Sequence, residues 1–359
     1  MAQNQLCLGE IQGDAGMYEV FWQKEWQEAA RRNHLFLLEI ETTNRCFGSC
    51  AYCFSSSDSS SATFVSRERV CGLVDEAKEL GVGEIYWSGG DPMLHPHWYE
   101  FSVYATEQGI HNTMLLSLLF SKKEVNRLVE LGCDVLVHID TLDPELYARV
   151  HTNPRTLERK VRCYRELLEA GLPPERAIAC ITYTKAAAER IEETIDWYVD
   201  EMKVRWITFT PFKCEGFGGT HRDWEPSKDD LRRAVEYRAK KFGDENYLRF
   251  GSTDGGIAVC KAVFVAKFTG QVTICPMLYD FSVGDFYQES LMEIFEKRRD
   301  DLTFNSPVKG YCGEGCPDRE VCFGCRANAY HYLGDLWASD PKCWRNPEAP
   351  DYCYPENRS

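Results

Sequence analysis

The chain has no apolar run that approaches the length of a membrane span. It has no strong basic patch, and its formal charge of −15 would repel nucleic acid. Residues 1–16 are polar and lack the charged-then-apolar pattern of a secretion leader, so the expected compartment is the cytoplasm. Repeats and low-complexity tracts are missing, apart from a serine run at 55–61 that reads as a flexible flap. The remaining composition is ordinary, 44% hydrophobic and 27% charged over 359 residues, with room for one large domain and a smaller one.

Cysteine is the exception. Seventeen are present, far more than an ordinary cytosolic enzyme carries. Disulfide frameworks of this density belong to small secreted domains, and here the thiols are clustered. Clustered thiols in a reducing compartment read as metal ligands. Cys46, Cys50 and Cys53 lie in Cys-Phe-Gly-Ser-Cys-Ala-Tyr-Cys, directly after an expected strand. Four thiolates normally close a cubane iron–sulfur cluster, so three leave one iron open to bind something else. A zinc site completed by a distant residue, or unligated thiols, are the plainer readings.

The pattern along the chain predicts an amphipathic helix at 18–33 and a buried strand at 35–40. Further strands are expected at 84–87, 113–118, 135–139, 177–182 and 206–209. Helices at 67–80, 99–108, 122–131, 157–170 and 187–201 separate them. Six alternating strands imply a parallel sheet curling into a partial or full barrel, with chemistry where strands give way to loops. The glycine-rich stretch 215–220 lacks the Lys-Ser/Thr ending of a phosphate cradle and reads as a loop. A helix at 227–242 then leads into a region of cysteine, glycine and short strands. The expected division is a helical segment 1–34, a barrel 35–246 and a cysteine-rich domain 247–359.

Cys46-x3-Cys50-x2-Cys53, with Tyr52 before the last cysteine, resembles the signature of the radical S-adenosylmethionine (radical SAM) superfamily. The second strand ends in Trp87-Ser88-Gly89-Gly90-Asp91-Pro92, similar to that superfamily's Gly-Gly-Glu-Pro turn with Asp in place of Glu. The resemblance implies a partial (β/α)6 TIM-like barrel. It also implies a 4Fe-4S cluster whose open iron chelates S-adenosylmethionine and whose electron releases a 5′-deoxyadenosyl radical, which takes hydrogen from a substrate carbon. By position in the family, Ser88, Gly89, Gly90 and Asp91 would meet the methionine part of the cofactor. Ser117, His138 and Asp140, at the ends of the third and fourth strands, would meet the ribose.

Further along, Cys260 is followed by nine residues, Gly270, four residues and Cys275, then by Cys312-x3-Cys316-x5-Cys322-x2-Cys325 and Cys343. These seven resemble the SPASM extension found behind many radical SAM domains, although the first gap of the second run is one residue longer than usual. The resemblance assigns Cys260, Cys275 and Cys325 to one auxiliary 4Fe-4S cluster, and Cys312, Cys316, Cys322 and Cys343 to another. The first is one ligand short, which Asp254, Cys353 or an open site could supply. Zinc held by the Cys312–Cys325 run is the competing structural reading.

Auxiliary clusters make sense where a product radical must lose an electron. Dehydrogenation, oxidative decarboxylation or crosslinking therefore lead, in a peptide, natural-product or cofactor precursor, with a tetrapyrrole next. The stretch beginning Cys325-Arg-Ala-Asn-Ala-Tyr330 is similar to enzymes of alternative haem synthesis, a weak discriminator. The alternatives are an epimerase, in which Cys214 would return hydrogen to the substrate, and a non-enzymatic electron carrier. A flavodoxin or ferredoxin is the implied reductant. Only about 35 residues precede the first strand, too few for a leader-binding winged helix, so a peptide substrate would need recognition in trans, or none.

Overall fold

The structure is a computed structural model that describes residues 24–348, apart from 255 and 303–306. Six parallel strands, β1 (Leu37–Thr43), β2 (Glu84–Gly89), β3 (His111–Leu116), β4 (Asp134–His138), β5 (Ala177–Tyr183) and β6 (Trp206–Pro211), pair in sequence order. Beyond β1 the same sheet continues through β7 (Val263–Ala266), β8 (Gln271–Thr273) and β9 (Gly284–Asp285). β7 runs parallel to β1, with Leu37 opposite Val263, whereas β8 and β9 are antiparallel additions. Among the described strands β6 and β1 do not pair, so the barrel is partial. The sheet crosses position 247 without a break. Helix Lys24–Arg31 falls inside the expected N-terminal helix, of which 18–23 lie outside the described residues.

Alternate residues of a strand share a face. Leu38 and Ile40, Ile85 and Trp87, Val135 and Val137, Ile181, Ile207 and Phe209 join the surrounding helices in one apolar core. On the other face the lower positions are also apolar, with Leu37, Ile178, Trp206, Val263 and Val265 in a second cluster. Higher up, that face turns polar, through Glu39, Glu41, Ser88, His138, Thr182, Thr208 and Thr210. The interior is therefore greasy at one end and functional at the other.

Several elements depart from expectation. β1 runs three residues further, to Thr43, and so delivers the chain straight into the cysteine loop. The helix expected at 187–201 is divided: Arg190, at φ −132°, leaves the helical region between Lys185–Glu189 and Ile191–Asp196, and a π turn follows at Trp197–Glu201. An unexpected helix, Pro144–Val150, starts on Asp143, whose carboxylate accepts from the Glu145 and Leu146 amides at 2.8 and 3.1 Å. Among the described residues no helix is long and apolar enough to cross a membrane.

Burial of two strand carboxylates has a pH consequence. Desolvation pushes Glu39 up to about 7, and desolvation together with the Glu39 charge pushes Glu41 up to about 8. In the unfolded chain both lose their protons near pH 4.5, so between there and pH 8 the folded state holds more protons. Stability should therefore decline as pH rises through that window. Melting temperature followed from pH 5 to 8.5 should fall in the wild type, with a shallower slope in Glu39→Gln. Equal slopes would mean that Glu39 is already ionised in the fold.

Candidate active site

The cysteine loop is pinned before any metal is considered. Arg45 N donates to Thr43 Oγ1 at 3.1 Å, Cys46 N to the Asp58 carbonyl at 2.9 Å, and Ala51 N to the Val150 carbonyl at 3.0 Å. The serine run is stitched into a turn rather than left as a loose flap, because the Asp58 carboxylate accepts from the amides and hydroxyls of Ser60 and Ser61. Gly48 sits between two of the thiols. A Cβ there would stand 3.2 Å from Cys46 Sγ and 3.6 Å from Cys50 Sγ, so both sulfurs face one small space. Cys53 Sγ lies 3.2 Å from Ser55 Oγ. All three thiols are free. Burial pushes Cys50 up to about 11 and raises Cys46 further. Bare thiolates would be costly here, and a cationic metal group would offset that cost, which fits an iron–sulfur cluster.

Gly89 and Gly90 are demanded by close packing. Gly89 has φ +110°, and a Cβ would lie 2.3 Å from the Thr43 carbonyl oxygen. At Gly90 it would lie 2.2 Å from the Arg45 carbonyl oxygen. Gly90 N and Asp91 N donate to those same two carbonyls at 2.7 and 2.8 Å. The buried Asp91 carboxylate accepts from Met93 N at 3.0 Å and from both the amide and the hydroxyl of Ser117. Here Asp reaches its own turn, capping Pro92–Leu94, and ties β2 to β3. Ser88 is buried beside Glu39.

Asp140 is the centre of a second network. It accepts from Tyr52 Oη, from Thr182 N at 2.7 Å, from His138 Nε2 at 2.9 Å and from His151 Nε2 at 3.4 Å. Burial alone would raise its pKa, but the two histidines hold it well below the usual carboxylate range. His151 is driven down to about 4 by burial, and its Nδ1 lies 3.4 Å from the Gly48 carbonyl. His138, with about a quarter of its side chain exposed, is the open end of this network. Sequence reasoning missed His151, Thr182 and Lys160. Lys160 is buried with Nζ 3.4 Å from the His138 carbonyl; desolvation works against its charge, and Cys50, Tyr147, Asp140 and Cys46 together more than offset that. The Asp143-Pro144 helix start could have pointed to His151, which follows that helix; Lys160 sits on a helix and carried no signal.

The glycine-rich stretch covers the cysteine loop. Phe217 N donates to the Cys53 carbonyl at 2.9 Å, and Gly216 has φ +54° against the Cys53 and Phe54 carbonyls. Cys214 lies in this loop, half-buried near Tyr52 and Cys50, with Sγ 3.2 Å from the Gly219 carbonyl.

In the C-terminal region, burial raises the thiols of Cys260 and Cys275, and each also feels Cys325. Cys322 feels Cys312, while Cys343 feels both, and Cys316 sits with Cys312 and Cys343 around Tyr311. A Cβ on Gly251 would lie 2.6 Å from Cys343 Sγ, and one on Gly324 2.9 Å from Cys312 Sγ. Cys260 also feels Cys322, so all of these thiols lie in one cysteine-rich region. Asp254 is not available to the first of them: Arg238 grips both its oxygens at 2.7 Å, and Phe209 N donates to it at 3.0 Å. Cys353 lies outside the described residues.

Residues 40–198 match the profile of the Radical SAM superfamily. An AdoMet-dependent heme synthase of Nitratidesulfovibrio vulgaris is 24% identical, covering 88% of this chain and 94% of that protein. A PqqA peptide cyclase of Granulibacter bethesdensis is also 24% identical, covering 88% and 93%. Among solved structures, Streptococcus suis SuiB bound to S-adenosylmethionine aligns with a TM-score of 0.64 at 16% identity, over 88% of this chain and 80% of SuiB. SuiB has also been solved with its precursor peptide SuiA. Residues 40–198 thus carry a domain of the Radical SAM superfamily, and over most of its length the chain is similar to enzymes of that superfamily.

Proposed function

We propose that the chain catalyses an oxidative radical modification, namely dehydrogenation, decarboxylation or crosslinking, with a peptide side chain as its favoured target. Cys46, Cys50 and Cys53 would hold the 4Fe-4S cluster that, with S-adenosylmethionine, supplies a carbon-centred radical able to take hydrogen from an unactivated carbon. Around it the chain binds and orients. Gly89 and Gly90 let the β2 turn approach the cysteine loop, Asp91 and Ser117 brace that wall, and the Asp140 network holds Tyr52 and His138 at the opposite one. The loop carrying Cys214 and Phe217 lies against Cys53, to whose carbonyl Phe217 N donates.

The observation behind an oxidative outcome is the pair of thiol groups around and after β7, Cys260 with Cys275 and Cys325, and Cys312 with Cys316, Cys322 and Cys343. Two auxiliary clusters there would give a reacting substrate somewhere to leave an electron. A peptide target is supported by the name of PqqA peptide cyclase and by the SuiB structure bound to a precursor peptide. A tetrapyrrole, suggested by the haem synthase, is the second reading. A flavodoxin or ferredoxin would supply the initiating electron.

Anaerobic reconstitution tests this reading. About twelve irons per chain, by the three-cubane ligand count, together with 5′-deoxyadenosine on adding S-adenosylmethionine and dithionite, are expected. About four irons with stoichiometric zinc would return the C-terminal region to a structural role and remove the oxidative argument.

A further inference from the structure

Lys213 follows β6, yet its ammonium reaches into the C-terminal region. It is 3% exposed. Nζ donates to Asn328 Oδ1 and lies 3.8 Å from Cys325 Sγ. Among the described residues no carboxylate stands within ion-pair distance of it, and the nearby Glu225 is paired with Lys342 at 3.1 Å. A buried ammonium without a carboxylate is expensive unless something else nearby is negative.

The neighbours hold this cation in one place. Asn328 Nδ2 donates to Ser252 Oγ at 2.9 Å and to Asp340 Oδ1 at 3.2 Å, so its carbonyl oxygen has to face Lys213. Asp340 also accepts from Cys325 N at 2.9 Å, and its own amide points at Cys312 Sγ at 3.4 Å. Asn328 N points at Cys325 Sγ at 3.4 Å. Cys325 Sγ is therefore approached by one backbone amide and one ammonium, both fixed. Such donors suit a thiolate in a metal cluster better than a neutral thiol, which needs no second donor.

We infer that Lys213 is the charge-setting residue of the metal site formed by Cys260, Cys275 and Cys325, raising its reduction potential so that it accepts an electron readily. Hydrogen bonds and nearby positive charge lower the electron density on cluster sulfurs and favour the reduced state. The inference rests on the reading that these cysteines hold an iron–sulfur cluster, and it adds a barrel residue to a site the cysteine spacing places wholly in the C-terminal region. Lys213 acts through the sulfur and is a positioning residue.

The test uses the full chain, reconstituted anaerobically, as wild type, Lys213→Met and Lys213→Arg. Iron and sulfide are counted, and the clusters are titrated reductively with electron paramagnetic resonance. The relevant signal is identified as the one lost in Cys275→Ala. In Lys213→Met the iron count should hold while the potential of that signal falls. At the poise that half-reduces the wild-type site, the ratio of reduced to oxidised cluster should drop about tenfold, and Arg should restore most of it. Selective loss of that cluster in the Met variant, with retention in Arg, also supports a required cation. Unchanged potentials at full iron, or loss of the cluster in both variants, overturn the inference alone. A wild-type count near four irons overturns the reading beneath it as well.

Discussion

Replacing Cys50 with alanine is expected to abolish S-adenosylmethionine cleavage while leaving the proposed C-terminal clusters in place. The variant should lose about four of about twelve irons per chain, and 5′-deoxyadenosine should fall to background. The reason is geometric. Cys46 and Cys50 face the same space across Gly48, and two thiols cannot hold three irons. The fold itself should survive, since the loop backbone is tied down by hydrogen bonds that do not use the sulfur, including Ala51 N to the Val150 carbonyl. Iron analysis, deoxyadenosine chromatography and a melting curve check the three parts. Undiminished cleavage would remove Cys50 from the site.

The largest effect on stability is expected at Arg238. Its guanidinium is fully buried, grips Asp254 with two 2.7 Å hydrogen bonds and donates to the Ile207 carbonyl at 2.8 Å. It is also sandwiched between the rings of Phe209 and Tyr247, at 4.5 and 4.3 Å from their centroids. Arg238→Met would leave the Asp254 carboxylate buried and unpaired, at a cost of about 3–5 kcal/mol. Arg238→Met with Asp254→Leu removes both charges and should recover most of that loss. Denaturant titration of the two variants checks the difference. If the single and double variants were equally unstable, the ion pair would not be the cause. The pair also bears on ligation, since an Asp254 held this way cannot turn toward iron without abandoning Arg238.

Much of this was legible because metal chemistry imposes spacing. Cys46, Cys50 and Cys53 and the Gly-Gly-Asp turn are local in sequence, and the strand–helix alternation that sets them side by side is periodic. Residues that act from a distance left no such trace. Lys160 and Lys213 read as a helix lysine and a loop lysine, because nothing in a linear pattern shows that a long side chain is buried against sulfur. Asp254 was singled out by its nearness in sequence to Cys260, and the partner that claims it, Arg238, comes from the preceding helix. The extra helix at Pro144 was written in Asp143-Pro144, a start signal with too few residues after it to stand out by periodicity.

β1 has two neighbours, β2 with the Gly89–Gly90 turn on one edge and β7, which leads towards Cys275, on the other. The interval between the two thiol-bearing regions is therefore set by backbone pairing rather than by a swinging linker. Electron tunnelling falls steeply with separation, so a span braced in this way would keep its transfer rate constant while surface loops move to admit or release a guest.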